Sequence, residues 1–172
     1  MKILLAAAIL GVFTLLYAIP LGKNRQNLRN IGGIKIFIIA VVWAGVTVIL
    51  PLLNQVNLKE IGFTFFQRFF FVIAITLPFE IRDLKFDSGD LNTIPQQIGV
   101  KKTKILGVLL LLIFLGLNFF KEEIITHFLY KEVIMTFILM LFVLFSSKKR
   151  NKYYTSFWVE ALPIFWLMLM LL

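Results

Sequence analysis

Four of the chain's nine acidic residues fall within eleven positions: Glu80, Asp83, Asp87 and Asp90. Their spacing of three, four and three puts carboxylates on one face of a helix. If the preceding helix runs past Pro78, then Glu80, Asp83 and Asp87 form a stripe. Ser88-Gly89 would end that helix and leave Asp90 on the following turn. Like charges at this spacing repel, so a stripe of them calls for a cation or a basic partner. Oxygen-only ligands select a hard cation, Mg²⁺ before Ca²⁺, and Mg²⁺ is usually held by one or two carboxylates together with substrate phosphates. Arg82, Lys85, Lys101, Lys102 and Lys104 lie alongside and can hold the phosphate oxygens that the metal leaves. The chemistry of this stretch is that of a Mg²⁺–phosphate site. The competing reading is a solvated loop of mixed charge. Pro78 favours the site, because it frees a backbone carbonyl, which is tolerated where backbone lines a cavity. Other chemistries are closed: with no Cys there is no thiolate nucleophile or Cys-based zinc site, and His127 alone cannot build a multi-His site.

The elements that must position these acids are apolar helices. The 172 residues are 60% hydrophobic and 16% charged, with a mean hydropathy of +0.92. A soluble domain has about 45–50% apolar and about 25% charged residues, so this chain has too little polar surface to coat a water-soluble globule. The composition predicts an all-α, polytopic transmembrane bundle forming a single domain over residues 1–172. A bilayer core needs roughly 17–25 apolar residues per helix. Six runs are read as spans: 3–22, 36–58, 61–79, 105–120, 133–147 and 153–172, interrupted only by Arg68 and Glu160; the fourth and fifth are short and are completed by snorkelling Lys side chains and by extension into neighbouring loop residues. A cleaved signal peptide over residues 1–20 fits poorly, since no A-x-A-like site follows.

The net charge of +9 reads as topology rather than as affinity for nucleic acid. The connections 21–35, 81–104 and 148–152 hold thirteen of the eighteen Lys and Arg; four others, Lys2, Lys59, Lys121 and Lys131, fall on the opposite side. The positive-inside rule then puts both termini outside and the acidic loop in the cytoplasm. Tyr153, Tyr154 and Trp158 sit at the inner interface, Phe128 and Tyr130 at the outer one.

The stretch Glu80-Ile-Arg-Asp83-Leu-Lys-Phe-Asp87-Ser-Gly89-Asp-Leu-Asn-Thr93-Ile-Pro95-Gln-Gln-Ile-Gly99 resembles the second aspartate-rich motif of the UbiA superfamily of intramembrane prenyltransferases. That motif has acids spaced like 83 and 87, then Gly, Thr-x-Pro and a further Gly. A weaker match, Tyr17-Ala-Ile-Pro20-Leu-Gly-Lys23-Asn-Arg25 followed by Asn30 and Gly32-Gly33, resembles the stretch that closes the family's fourth helix. The six spans look like helices four to nine of a nine-helix protein. The resemblance implies a helical bundle with a central cavity open to lipid. In such a bundle a prenyl diphosphate is bound through Mg²⁺ and ionises to an allylic cation that alkylates an acceptor. It further implies Glu80, Asp83, Asp87 and Asp90 as metal ligands. Tyr17, Lys23, Arg25, Arg82, Lys101 and Lys102 are implied around the diphosphate.

Nothing in the chain matches the family's first motif, Asn-Asp-x-x-Asp-like, and the stretch from Asp87 to Thr93 is about one residue shorter than the family's spacing. The alternatives to a prenyltransferase are therefore a truncated or non-catalytic homologue, or one half of a split enzyme whose second chain supplies the missing helices. A small transporter would want its charges at mid-membrane depth, and the Asp-Gly-x-x-Ala-Arg signature of CDP-alcohol phosphotransferases is absent. Of the other polar residues, Arg68 is an intramembrane charge that could face the cavity and meet a diphosphate or an acid, but its closeness to the outer end of the span favours snorkelling to that interface. Gln67 hints at a polar pocket, Asn54, Gln55 and Asn57 read as caps and turns, and His127 as an exposed loop residue. Asn118 reads as an interhelical hydrogen bond, Gly107 and Gly116 as close-packing positions, and Trp43 and Trp166 as packing residues.

Overall fold

The computed structural model describes residues 1–19, 33–86, 93–121 and 126–171, with the side chains of Thr126 and His127 left aside. Helix α1 covers Lys2–Ala18, α2 Ile34–Leu52, α3 Leu58–Asp83, α4 Ile94–Phe120, α5 Thr126–Phe145 and α6 Tyr154–Leu171. The chain is thus an all-α polytopic bundle. Helices α2, α3, α4 and α6, and α5 from Phe128 on, are long and apolar enough to cross a membrane; α1 is equally apolar but has 17 residues.

Helix α3 is the centre of the bundle and packs against α2, α4, α5 and α6. Its buried face carries Phe71, Ile73, Ala74, Leu77 and Ile81. Asn57 caps its start, its side-chain oxygen accepting from the Glu60 N–H at 2.8 Å. Gly107 of α4 lets three helices approach: a Cβ there would stand 2.8 Å from Val143 of α5 and 3.0 Å from Leu77 of α3. Gly116 has nothing comparable beside it. Gln67 ties α3 to α4, its Nε2 donating to the Phe114 carbonyl at 3.0 Å. It clamps the two helices together. Asn118 makes the expected interhelical bond, Nδ2 to Glu132 Oε2, at 2.6 Å. Helix α1 packs on α2, with the Leu10 side chain seated on Gly45.

Two further features depart from the sequence expectations. Helix α3 continues through Pro78 but ends at Asp83, with a turn through Phe86. It therefore stops short of Asp87, and the three-acid helical stripe does not extend that far. Repulsion between carboxylates one turn apart, with no apolar face left to bury, gives the helix no reason to go on. Trp43 is exposed, not packed, whereas Trp166 is buried against Phe71 and Phe114, with ring centroids 4.5 Å and 5.8 Å away.

Candidate functional site

The acid-bearing end of the bundle is built by the last turn of α3 and the first turn of α4. Glu80 is buried, and its Oε2 accepts a hydrogen bond from the Ile94 N–H at 3.2 Å. Thr93 precedes Ile94 as N-cap; its own N–H donates to Gln96 Oε1 at 2.9 Å, and Pro95 follows in the first turn, where a missing N–H costs nothing. The carboxylate of Glu80 thus satisfies one of the orphan donors of a helix start, where negative charge is favoured. The two halves of the Glu80–Gly99 stretch are held together by this bond. Gly99 has φ 80° and ψ 156° inside α4, which kinks there and sets the Thr93–Ile98 turn apart from the membrane-crossing part of the helix. Gly33, at the start of α2, comes to the same place: a side chain there would stand 3.9 Å from Gln97 Nε2.

Asp83 is the more accessible acid, its side chain one-third exposed, and it pairs with its neighbour Arg82 at 2.6 Å. Arg82 also donates through Nη1 to the Thr155 hydroxyl of α6 and lies 5.6 Å from the ring of Phe79. Lys101 and Lys102 are exposed on α4 just past the kink. Lys104 is engaged elsewhere, its Nζ donating at 2.7 Å to the Leu144 carbonyl at the end of α5, where a cation complements the helix dipole. Arg150 does the same for the Phe145 carbonyl at 3.1 Å. Tyr17 is half-buried at the end of α1. Lys23, Arg25, Asp87 and Asp90 lie outside the described residues. Among the described residues, no group of three His, Asp or Glu comes together to hold a metal. Asp83 keeps carboxylate oxygen within reach of solvent, the kind of donor a hard cation takes, whereas one oxygen of Glu80 is turned to the α4 start.

A cavity of about 770 Å³ lies among α2, α3, α5 and α6. It begins at Phe79 and Glu160 near the acid end and reaches Lys121, Phe128 and Met170 at the opposite end. Trp43 and Glu160 line it and are exposed, so it opens there to the outside of the bundle. Wide π-turns at Gly45–Ile49 and Tyr154–Val159 contribute Thr47 and Val159 to its wall. The sequence singles out Arg68 as a charge that either faces a cavity or snorkels, but does not connect it with Lys121 and Glu132. Arg68 does not snorkel. Its guanidinium lies 4.1 Å from the ring centre of Trp166, on the cavity wall, because α3 is surrounded by other helices and this face looks inward. Lys121 and Glu132 line the same end. Burial pulls the Lys121 pKa below its ordinary 10.5; Glu132 opposes that, Arg68 adds to it, and Glu60 opposes it. The signal for this cluster was present in the sequence: Arg68 interrupts one apolar run and Glu132 flanks the start of another, and alternate topology carries both to one end of the bundle.

Compared with known proteins, the chain matches no family model, no curated protein and no solved structure.

Proposed function

We propose that this chain is a UbiA-like membrane protein that binds a prenyl diphosphate with Mg²⁺ at the Glu80–Gly99 turn, for transfer of the prenyl group to an acceptor. The observation that carries this reading is the convergence of both quoted stretches at one end of the bundle, Glu80 on Ile94 at 3.2 Å and Gly33 beside Gln97. In this reading Asp83 holds the ion, with Asp87 from the following segment. Glu80 is a positioning residue that fixes the α4 start. Lys101 and Lys102 meet diphosphate oxygens, and Arg82, fixed by Asp83 and Thr155, keeps positive charge beside them. Bound Mg²⁺ would neutralise the charge that develops as the diphosphate leaves. The cavity starts at Phe79, next to Glu80, and its size suits an apolar chain shielded from water. The reading puts this end of the bundle in the cytoplasm.

The sequence has no Asn-Asp-x-x-Asp-like stretch, so the alternatives are a truncated or non-catalytic homologue, or a form in which a second chain completes the metal site. Titration of purified protein with Mg²⁺ and a prenyl diphosphate analogue tests the shared core of these readings. Asp83→Asn and Asp87→Asn should each weaken binding at least about tenfold, the loss of one charge-assisted contact; equal binding by wild type and both variants refutes the site. Turnover that appears only with a second chain present selects the split form. With no native Cys, Lys85→Cys and Lys59→Cys report orientation through an impermeant maleimide; labelling of position 85 from outside would refute the topology.

A further inference from the structure

The end of the cavity away from the acids holds more hydrogen-bond donors than acceptors. Arg68 Nε and Trp166 Nε1 are both buried and have no hydrogen-bond partner among the described residues. They belong to side chains in contact, the guanidinium 4.1 Å from the indole ring. Trp166 is 6% exposed, so its N–H is not turned to the outside. Lys121 adds a second cation on the same wall. Among the described residues Glu132 is the acid at this end; it takes its hydrogen bond from Asn118 and attracts Arg68 and Lys121 through space without closing an ion pair with Arg68. Buried donors are nearly always satisfied, and a cation within apolar surroundings is rarely left without a counter-charge. The rest of the wall is apolar: Phe71, Val72, Leu167 and Met170 among others.

We propose that this end of the cavity is a binding site for an oxyanion, a carboxylate or phosphate group carried on an apolar body. Its oxygens accept from Arg68 Nε, Trp166 Nε1 and the Lys121 ammonium. The apolar body lies along the cavity towards the opening beside Trp43 and Glu160. The site is distinct from the acid end: Arg68 stands twelve residues before Glu80 on α3, about 18 Å along the helix axis. It requires neither Mg²⁺ nor diphosphate, so its success or failure is independent of the prenyltransferase reading.

The test is ligand titration of the purified full chain in a non-ionic detergent without divalent metal, with dodecanoate and dodecanol as matched probes. Wild type should bind dodecanoate at least about tenfold more tightly than dodecanol, because charge-assisted hydrogen bonds form only with the acid. Arg68→Gln should abolish that preference and Arg68→Lys retain part of it. Trp166→Phe keeps the ring packing and deletes the N–H, so it should weaken dodecanoate several-fold and leave dodecanol unchanged; this arm stands even if Arg68→Gln does not fold. Competition by millimolar inorganic phosphate identifies a free ion as the natural source. Competition by phosphatidylglycerol alone identifies a lipid headgroup. Equal affinity for dodecanoate and dodecanol in wild type, or a preference untouched by Arg68→Gln and Trp166→Phe, would overturn the proposal and leave water as the partner of these donors.

Discussion

Replacing glycines of α4 by alanine one at a time separates three physical effects within a single helix. Gly99 sits at φ 80°, ψ 156°, a region occupied almost solely by glycine. Holding alanine there costs about 1–3 kcal/mol. Nothing lies within 4 Å of the position a Cβ would take, so no clash adds to it. Alanine also narrows the unfolded ensemble, an offset of about 0.4–1 kcal/mol. The net loss for Gly99→Ala is about 1–2 kcal/mol, a Tm decrease of about 2–4 °C for each kcal/mol. Gly107→Ala should also destabilise, by about 1–3 kcal/mol, but through overpacking: its Cβ would meet Val143 at 2.8 Å and Leu77 at 3.0 Å. Gly116 has ordinary helical angles, φ −60° and ψ −31°, and open space around it. Gly116→Ala should therefore stabilise by about 0.5–1 kcal/mol. Thermal unfolding of the purified protein in micelles reads the signs. Hydrogen exchange at the Ile94 amide reads the consequence, because the kink at Gly99 aims the α4 start at Glu80. Gly99→Ala alone should speed exchange there. A Gly99→Ala protein as stable as wild type, with Ile94 still protected, would mean that α4 needs no kink and that the Glu80–Ile94 contact does not depend on it.

Glu80→Ala should lower stability by about 1.5–3 kcal/mol, the worth of a hydrogen bond to a charged group, and Glu80→Gln by about half of that, since the amide oxygen still accepts. If Glu80 positions the α4 start, Glu80→Gln should leave Mg²⁺ affinity within a few-fold of wild type while Asp83→Asn does not; equal losses would make Glu80 a ligand. Lys121 titrates lower in the folded chain than in the unfolded one, so between its folded pKa and 10.5 the unfolded state binds more protons and stability rises with pH. Among the described residues, Glu132, Arg68 and Glu60 are the charged groups that act on it. Lys121→Met should accordingly be more stable than wild type at pH 7, and the gap should close towards pH 10.5. A variant less stable than wild type at pH 7 would show that the attraction of Glu132 outweighs burial.

Hydropathy alone determined the architecture. The runs 36–58, 61–79, 105–120 and 133–147 each became the core of a helix, because an apolar run long enough for a bilayer has no other way to satisfy its backbone. Asn57 as a cap and Asn118 as an interhelical donor were also readable, since their roles follow from position relative to a helix end or an apolar face. The sequence also placed Glu80, Asp83 and the Thr93–Pro95 turn in one short stretch. It could not tell which carboxylate turns to the backbone of α4 and which to solvent, because that depends on the kink at Gly99 and on how closely α3 and α4 approach. Nor could it distinguish a snorkelling Arg68 from one stacked on Trp166. The two residues are 98 positions apart, and only the packing of α6 against the central helix decides whether that face of α3 meets lipid or the cavity wall.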